Sequence, residues 1–510
     1  MNEKIPLLQE ILKYHDEKNL LLSMPGNKGG IGFLSDDIGE EFVNRLGFLD
    51  ITEVDPLDNL HCPEGVIKEA QELLAKTYKA KKAYFLVNGS SSGNLAAIFS
   101  AFDEGDEILV ERNCHKSIYN GLILRKLKVK YIEPIIDDEN GVFLPPSKEN
   151  IYKTLKECLN PKGIILTYPN YFGITYGIED IILDLKEKGL KVIIDCAHGA
   201  HYGINRRLPK SVSNLGDYVI LSAHKTLPAL TQGAYLLVNE ENMHLEFYLK
   251  AFMTTSPSYL IMASLDYARY YLDSYGENDY EKLIDLAEKW KEKINELKKV
   301  NILCKTHLNE QFNINNERKD KEEYDVDLSR YILILPKGYS GHKFLDYLRH
   351  KKIQAEMSFS RGVVLIMSPF NVERDFEIIY EAILKLEMKN ICATVEASYF
   401  SDIPEKKLEP FEVFKMDGEW CEIEASEGCI VKEAIIPYPP GIPLVCPGEI
   451  ISRKVINIIR DYVINKKSIL GVENNKVHVI KIKECRHDNS GWIIEGSCNR
   501  KENSLIIGMN

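Results

Sequence analysis

The sequence predicts an α/β fold with a mostly parallel sheet, then a smaller α/β domain, then a C-terminal α+β domain. Short apolar runs alternate with helical stretches from about residue 65 to about residue 240. Strand–helix–strand patterning resumes over 330–369, after a long helix-rich stretch. Beyond about residue 400, short strands and rigid Pro/Gly turns replace both patterns. Strands that alternate with helices pair in parallel and are covered on both faces.

Residues 1–22 place Ile5, Leu8, Ile11 and Leu12 on one face of an amphipathic helix. Met24-Pro25-Gly26-Asn27-Lys28-Gly29-Gly30 cannot be regular helix or strand and reads as a surface loop. VIKEAQELLAKTYK is helical, and AYFLV (83–87) is the first strand of the alternating region. A Gly/Ser turn and an apolar helix over 94–102 follow. EILV (107–110), VKYIEPI (129–135), GIILTYP (163–169), KVIID (191–195), YVILS (218–222) and AYLLV (234–238) are further strands. A helix-rich stretch covers about 258–300 and ends in EKWKEKINELKK, a solvated charged face. RYILILP (330–336) and VVLIMSP (363–369) flank the helix HKFLDYLRHK, with DKEEYD (320–325) as an exposed loop. FEVFKM, CEIEA, Tyr438-Pro439-Pro440-Gly441-Ile442-Pro443 and Pro447-Gly448-Glu449 read as short strands and turns. A helix over 450–464 and a strand pair near the end complete the chain. The domains expected are therefore 46–300 (large), 301–400 (small α/β) and 401–510 (C-terminal), after an arm and linker over 1–45.

Composition excludes several function classes. With 510 residues, 45% hydrophobic and 27% charged, the chain is an ordinary globular protein rather than a disordered or fibrous one. The 64 Lys plus Arg against 76 Asp plus Glu give a net charge of −12, which argues against nucleic acid as a partner. No run of about 18 apolar residues exists, so no membrane span is expected. The 11 Cys are scattered without a CxxC pair, as in reduced cytoplasmic proteins. The acidic start of the chain lacks the apolar core of a signal peptide.

Three strand ends carry chemistry. Asn88-Gly89-Ser90-Ser91-Ser92-Gly93-Asn94 follows a strand and opens a helix, so its free N–H groups and hydroxyls suit a phosphate. The bland alternative is a flexible turn. Asp195-Cys196-Ala197-His198-Gly199-Ala200-His201 begins where KVIID ends, the edge at which open α/β sheets bind ligands. Asp195, His198 and His201 suit a metal. Equally, Asp195 suits the protonated ring nitrogen of a cofactor, or the histidines are merely packed. Ser222-Ala223-His224-Lys225-Thr226 follows YVILS and offers an amine that desolvation would activate. A phosphate turn, an acid and a lysine at one sheet edge form the parts needed to hold pyridoxal 5′-phosphate (PLP). Arg112-Asn113-Cys114-His115-Lys116-Ser117 adds a histidine able to stack on a flat ring, or simply to start a helix.

These blocks resemble the ornithine/lysine/arginine decarboxylase family of fold-type I, aspartate aminotransferase-like PLP enzymes, in its short wingless form. The resemblance rests on MPGNKGG, DITEVDPLDNLHCPEG, FLVNGSSSGN, ERNCHKSIYNG, DCAHGAHYG, SAHKTLPALTQG, TTSPSYLIMASLD and YPPGIPLVCPGE, in order along the chain, and is weakest over 300–400. It implies that Lys225 carries PLP, Asp195 pairs with the pyridine nitrogen and His115 stacks on the ring. It further implies phosphate contacts from Ser90, Ser91, Ser222 and His224, and a cofactor pocket that includes Ser92, Ala197 and His198, with no metal.

The activity implied is decarboxylation of a basic amino acid, arginine to agmatine first, with lysine and ornithine next, feeding polyamine synthesis. The active site would lie in a homodimer or higher homo-oligomer, with acids of the C-terminal region or of the partner subunit receiving the substrate's side-chain cation. Two positions depart from the family pattern. Asn27 stands where MPGHK has a histidine and would remove a titratable ring near the substrate entrance. Cys196 stands where DEAHG has an acid. An aminotransferase or other lyase on the same fold, a metal-dependent hydrolase and a catalytically silent PLP-fold subunit are the rival readings.

Overall fold

The structure, a computed structural model, describes residues 5–240, 242–309, 323–393, 403–437, 443–464, 468–480, 492–494 and 505–507. The chain forms two compact units. One holds Met1–Ala101, Ile135–Ser147 and Ile164–Ala397; the other holds Phe102–Pro134, Lys148–Gly163 and Ser398–Asn510.

In the first unit, the strands Lys82–Leu86, Ala234–Val238, Tyr218–Leu221 and Lys191–Asp195 are neighbours in that order. Tyr218–Leu221 runs parallel to Lys191–Asp195, with Ile220 opposite Asp195. Ala234–Val238 runs antiparallel to both of its neighbours. It is the reversed strand in a mostly parallel arrangement. Tyr235 pairs with Phe85 on one side and Leu221 on the other, so the first and third strands end at the same level. Their apolar runs are buried, as expected for strands covered on both faces.

The same unit contains an antiparallel sheet of Asn301–Ile302, Arg330–Ile334, Gly362–Ile366 and Met357–Phe359. Helices Gly341–His350 and Glu373–Leu384 accompany it. The helix-rich stretch is Tyr259–Tyr271, a π turn over Leu272–Gly276, and Glu277–Glu296.

Four local expectations change, one of them at FEVFKM, where Pro410–Phe414 forms a helix rather than a short strand. The N-terminal helix is shorter than 1–22: it covers Pro6–Asp16, and Leu20–Leu22 is a strand paired in parallel with Ile353–Ala355. A distant strand decides that segment, which its own apolar spacing does not reveal. The serine block belongs to a helix that starts at Gly89 and runs to Ala101, rather than to a turn before residue 94. Ser92 Oγ donates to Gly89 O at 2.8 Å, satisfying part of that first turn. Tyr324–Val326 is a strand paired with Ile174–Tyr176 instead of part of an exposed loop; residues 320–322 lie outside the described residues.

In the second unit, Glu107–Glu111 pairs in parallel with Lys128–Ile132, joined by helix Lys116–Arg125. Glu419–Glu422 and Ile430–Val431 flank Lys476–Ile480, all antiparallel. Helix Arg453–Ile464 packs through Val455, Ile456 and Ile459 into a core with Val431, Ile435, Val477 and Val479. The Tyr438–Ile442 part of the proline motif lies outside the described residues. A strand pair closes the chain, Trp492–Ile494 with Leu505–Ile507.

Candidate active site

The shared edge of three strands assembles the site. Asp195 ends its strand and is 3% exposed. Its Oδ2 accepts from Asn94 Nδ2 at 3.0 Å and its Oδ1 from the Ala197 N–H at 3.2 Å. Asn94 sits on the helix that follows the first strand, so that helix aims the carboxylate. Ser222 follows the neighbouring strand, and its Oγ donates to Ser90 Oγ at 2.9 Å. The two motifs named for phosphate binding thus meet through their hydroxyls, at a helix whose first residue, Gly89, takes φ +76°. Ser91 is exposed at this turn, while the Ser92 hydroxyl is buried against Gly89 O.

Lys225 lies in the one-turn helix Ala223–Thr226, and its Nζ meets His198 Nε2 at 3.1 Å. Burial pushes its amine down to about 8; Asp195 and Glu356 pull upward, and Arg330 adds to the downward push. His224 donates from Nδ1 to Gly233 O at 2.9 Å, and burial lowers it to about 4. It is a neutral ring near pH 7.

Behind His198 lies a buried polar network that the sequence reading did not anticipate. Arg330, fully buried at the start of its strand, donates through Nη2 to His198 Nδ1 at 3.2 Å and to His198 O at 3.1 Å. Its Nε donates to Asp327 Oδ2 at 3.3 Å, and its Nη1 to Tyr171 O at 3.2 Å. Asp327 also receives His201 Nε2 at 3.1 Å and Ser329 Oγ at 2.6 Å. Burial alone would raise Asp327, but His201, Arg330 and Ser329 hold it well below the usual carboxylate range.

His198 and His201 therefore serve different partners and do not converge. Among the described residues no group of three His, Cys, Asp or Glu is arranged to hold a metal. Cys196 is buried, and burial pushes its thiol up, as for a packed thiol.

The arm residues 24–28 dock on the lysine loop. The Gly26 N–H donates to His224 O at 2.7 Å, and a Cβ at Gly26 would come within 2.5 Å of the Thr226 carbonyl carbon. Asn27 is 6% exposed and donates from Nδ2 to Ala229 O at 2.9 Å, while its Oδ1 accepts from the Gly30 N–H at 3.1 Å. Asn27 is thus a buried turn-former that seats the arm on the lysine loop. Lys28 is buried too, donating to Ser23 O and Ile366 O at 2.6 and 2.8 Å, and burial lowers its amine to about 7.

Glu356 is the second acid that acts on Lys225. It receives the Met24 N–H and the Tyr171 hydroxyl, both at 3.0 Å. Its charge also acts on the buried Lys28 amine. His115 belongs to the second unit, where it caps helix Lys116–Arg125 by accepting from the Ser117 N–H at 3.2 Å.

The donor set fits PLP. An amine of lowered basicity suits an aldehyde, an oriented buried carboxylate suits a pyridinium, and paired hydroxyls at a helix start suit a phosphate. The Orn/Lys/Arg decarboxylase major domain matches residues 5–374, and the C-terminal domain of the same enzymes matches 393–474. The chain belongs to the Orn/Lys/Arg decarboxylase family. Like the family, it is a PLP-dependent decarboxylase that acts on a basic amino acid.

Its relatives include the arginine decarboxylase of Halalkalibacterium halodurans, 31% identical over 471 residues, covering 90% of this chain and 93% of that one. The arginine decarboxylase of Bacillus subtilis is 28% identical over 488 residues, covering 94% and 97%. The solved constitutive lysine decarboxylase of Escherichia coli shares the fold at a TM-score of 0.72 and 18% identity, covering 94% of this chain and 82% of that one.

Proposed function

We propose that the substrate is arginine and the products are agmatine and CO2. Supporting it, the two arginine decarboxylases match over more than nine-tenths of their lengths. The observation that carries the chemistry is the Lys225 amine, 3.1 Å from His198 Nε2 and acted on by the charge of Asp195. Lys225 is assigned to hold the cofactor, Asp195 to keep a proton on its ring nitrogen, and Ser90, Ser91, Ser222 and His224 to receive its phosphate. His115 is assigned to the ring face on its motif alone.

Bound PLP supplies a sink for the electron pair left on Cα when CO2 departs. The protein's part is positioning and proton handling. Lys225, freed while substrate occupies the site, stands with His198 as the donor of the proton that replaces CO2 on Cα. Burial of Asp195 keeps water from its carboxylate, so its charge acts at full strength on the group it faces. Glu356 is assigned to the substrate's side-chain cation, since its carboxylate acts on Lys225 and is held by two neutral donors rather than by a direct ion pair among the described residues.

The enzyme is taken to act in the cytoplasm as a homo-oligomer and to feed polyamine synthesis. The nine described cysteines are all free. No helix among the described residues is long and apolar enough to cross a membrane. The domain division is taken as 46–300, 301–400 and 401–510 after an arm over 1–45.

Incubating the full chain and PLP separately with arginine, lysine and ornithine, and identifying the amine formed, tests the substrate. Agmatine from arginine at the highest kcat/KM is expected. A higher value for lysine or ornithine overturns the choice of arginine, and consumption of a 2-oxo acid without CO2 overturns decarboxylation.

A further inference from the structure

We propose that Arg330 is a positioning residue that fixes His198 in its Nε2–H tautomer and so aims a hydrogen-bond donor at the Lys225 amine. The inference rests on the reading of Lys225 as the cofactor lysine. A guanidinium has only donors. Its contact with His198 Nδ1 at 3.2 Å therefore makes that nitrogen an acceptor, and no proton can reside there while the contact holds. The proton of the neutral ring is then on Nε2, the atom that faces Lys225 Nζ at 3.1 Å. An ammonium also has only donors, so the contact is satisfied only by the free amine, whose lone pair accepts.

The lock is built to be rigid. One nitrogen of Arg330 grips both the ring and the backbone carbonyl of His198, which removes the ring flip that would exchange its nitrogens. Asp327 and Tyr171 O hold the other side of the guanidinium, and His201, Tyr202 and Ser329 hold Asp327. Tyr171 packs edge-on against the His198 ring, with centroids 4.9 Å apart. Gly173 makes room, because a Cβ there would lie 2.6 Å from Arg330 Cδ. The charged and titratable groups facing Lys225 are Asp195, Glu356, Arg330 and His198. Arg330 in turn faces Asp327 and acts on Lys28. The two carboxylates favour an ammonium at Lys225. Burial, the Arg330 cation and the tautomer it dictates favour the free base, which is the form that bonds a carbonyl carbon.

The test uses the full chain freed of PLP. Pyridoxal and borohydride label reactive amines, and peptide mapping reads the label on Lys225 across pH. Wild type is expected to reach half-maximal labelling near 8, in line with the lowered amine. Arg330→Gln is expected to move that midpoint up by about one pH unit or more, a roughly tenfold loss of labelling at neutral pH. Arg330→Lys keeps a donor-only cation and is expected to remain within about half a unit of wild type. In parallel, 15N shifts of labelled histidine in the wild type are expected to report His198 with its proton on Nε2.

A label on Lys225 with the same midpoint in Arg330→Gln overturns the proposal, as does a proton found on Nδ1 in the wild type, a result that needs no variant to fold. No label on Lys225 in the wild type overturns the underlying cofactor-lysine reading instead.

Discussion

Arg112 and Glu449, 337 residues apart, face each other fork to fork, with N–O distances of 2.6 and 2.7 Å. The pair is buried at 3% and 0% exposure. The guanidinium lies over the Tyr131 ring at 4.7 Å from its centroid, and Glu449 Oε2 also accepts from the Cys446 N–H at 2.7 Å. Arg112 lies three residues before His115, so the pair ties the His115 segment to the Pro447-Gly448-Glu449 turn within one unit. Removing one partner of such a pair strands a buried charge, which costs about 3–5 kcal/mol. Glu449→Ala is therefore expected to lower stability by about that amount in urea unfolding, and Arg112→Met combined with Glu449→Leu to recover most of it. A loss below about 1 kcal/mol for the single variant contradicts the role.

Lys225→Ala removes the amine that meets His198 Nε2 and on which Asp195 and Glu356 act. Turnover of arginine, lysine and ornithine is expected to vanish, together with the visible absorbance of the bound cofactor. Borohydride reduction of the wild-type holoenzyme is expected to leave its label on the peptide that contains Lys225. Recovery of that label on another peptide contradicts the assignment.

Asp195→Asn keeps the size of the side chain and an acceptor for Asn94 Nδ2 but removes the charge. An opposite charge at close range is worth about 1–3 pKa units to a ring nitrogen. A fall in kcat of about 10- to 1,000-fold is expected if rate follows that protonation, with thermal stability little changed. Steady-state kinetics beside a melting curve separates the two effects.

Glu356→Gln leaves the Tyr171 and Met24 hydrogen bonds possible while removing the negative charge. A charge-assisted hydrogen bond is worth about 1.5–3 kcal/mol, so KM for the basic amino acid is expected to rise about 10- to 150-fold. An unchanged KM for all three amino acids contradicts Glu356 as the side-chain receptor.

The groups legible in the sequence share one property. Asp195, Ser222 and Lys225 each follow a buried apolar run by a few residues at most, and Ser90 follows the run 82–86 in the same way. A strand end is a local signal, and parallel strands bring such ends to one edge. Asn94 stood inside the same motif, but its role appeared only when the helix was seen to begin at Gly89 and aim its amide at Asp195. The Gly-rich segment 24–30 read as a surface loop; the burial of Asn27 comes from docking against Ala229, 202 residues away.

Arg330, Asp327 and Glu356 left no comparable mark. Arg330 begins RYILI, which reads as an ordinary strand with a solvated end, and Glu356 is one acid between two short strands. They lie where the family resemblance is weakest. By itself the sequence determined the alternation of strands and helices, the sheet edge that would carry the chemistry, and the lysine and acid at its centre, because each is written in consecutive residues. Only the tertiary structure decided which charges surround that lysine and which nitrogen of His198 faces it, because a buried cation is stabilised by partners that chain folding brings from 132 and 159 residues away.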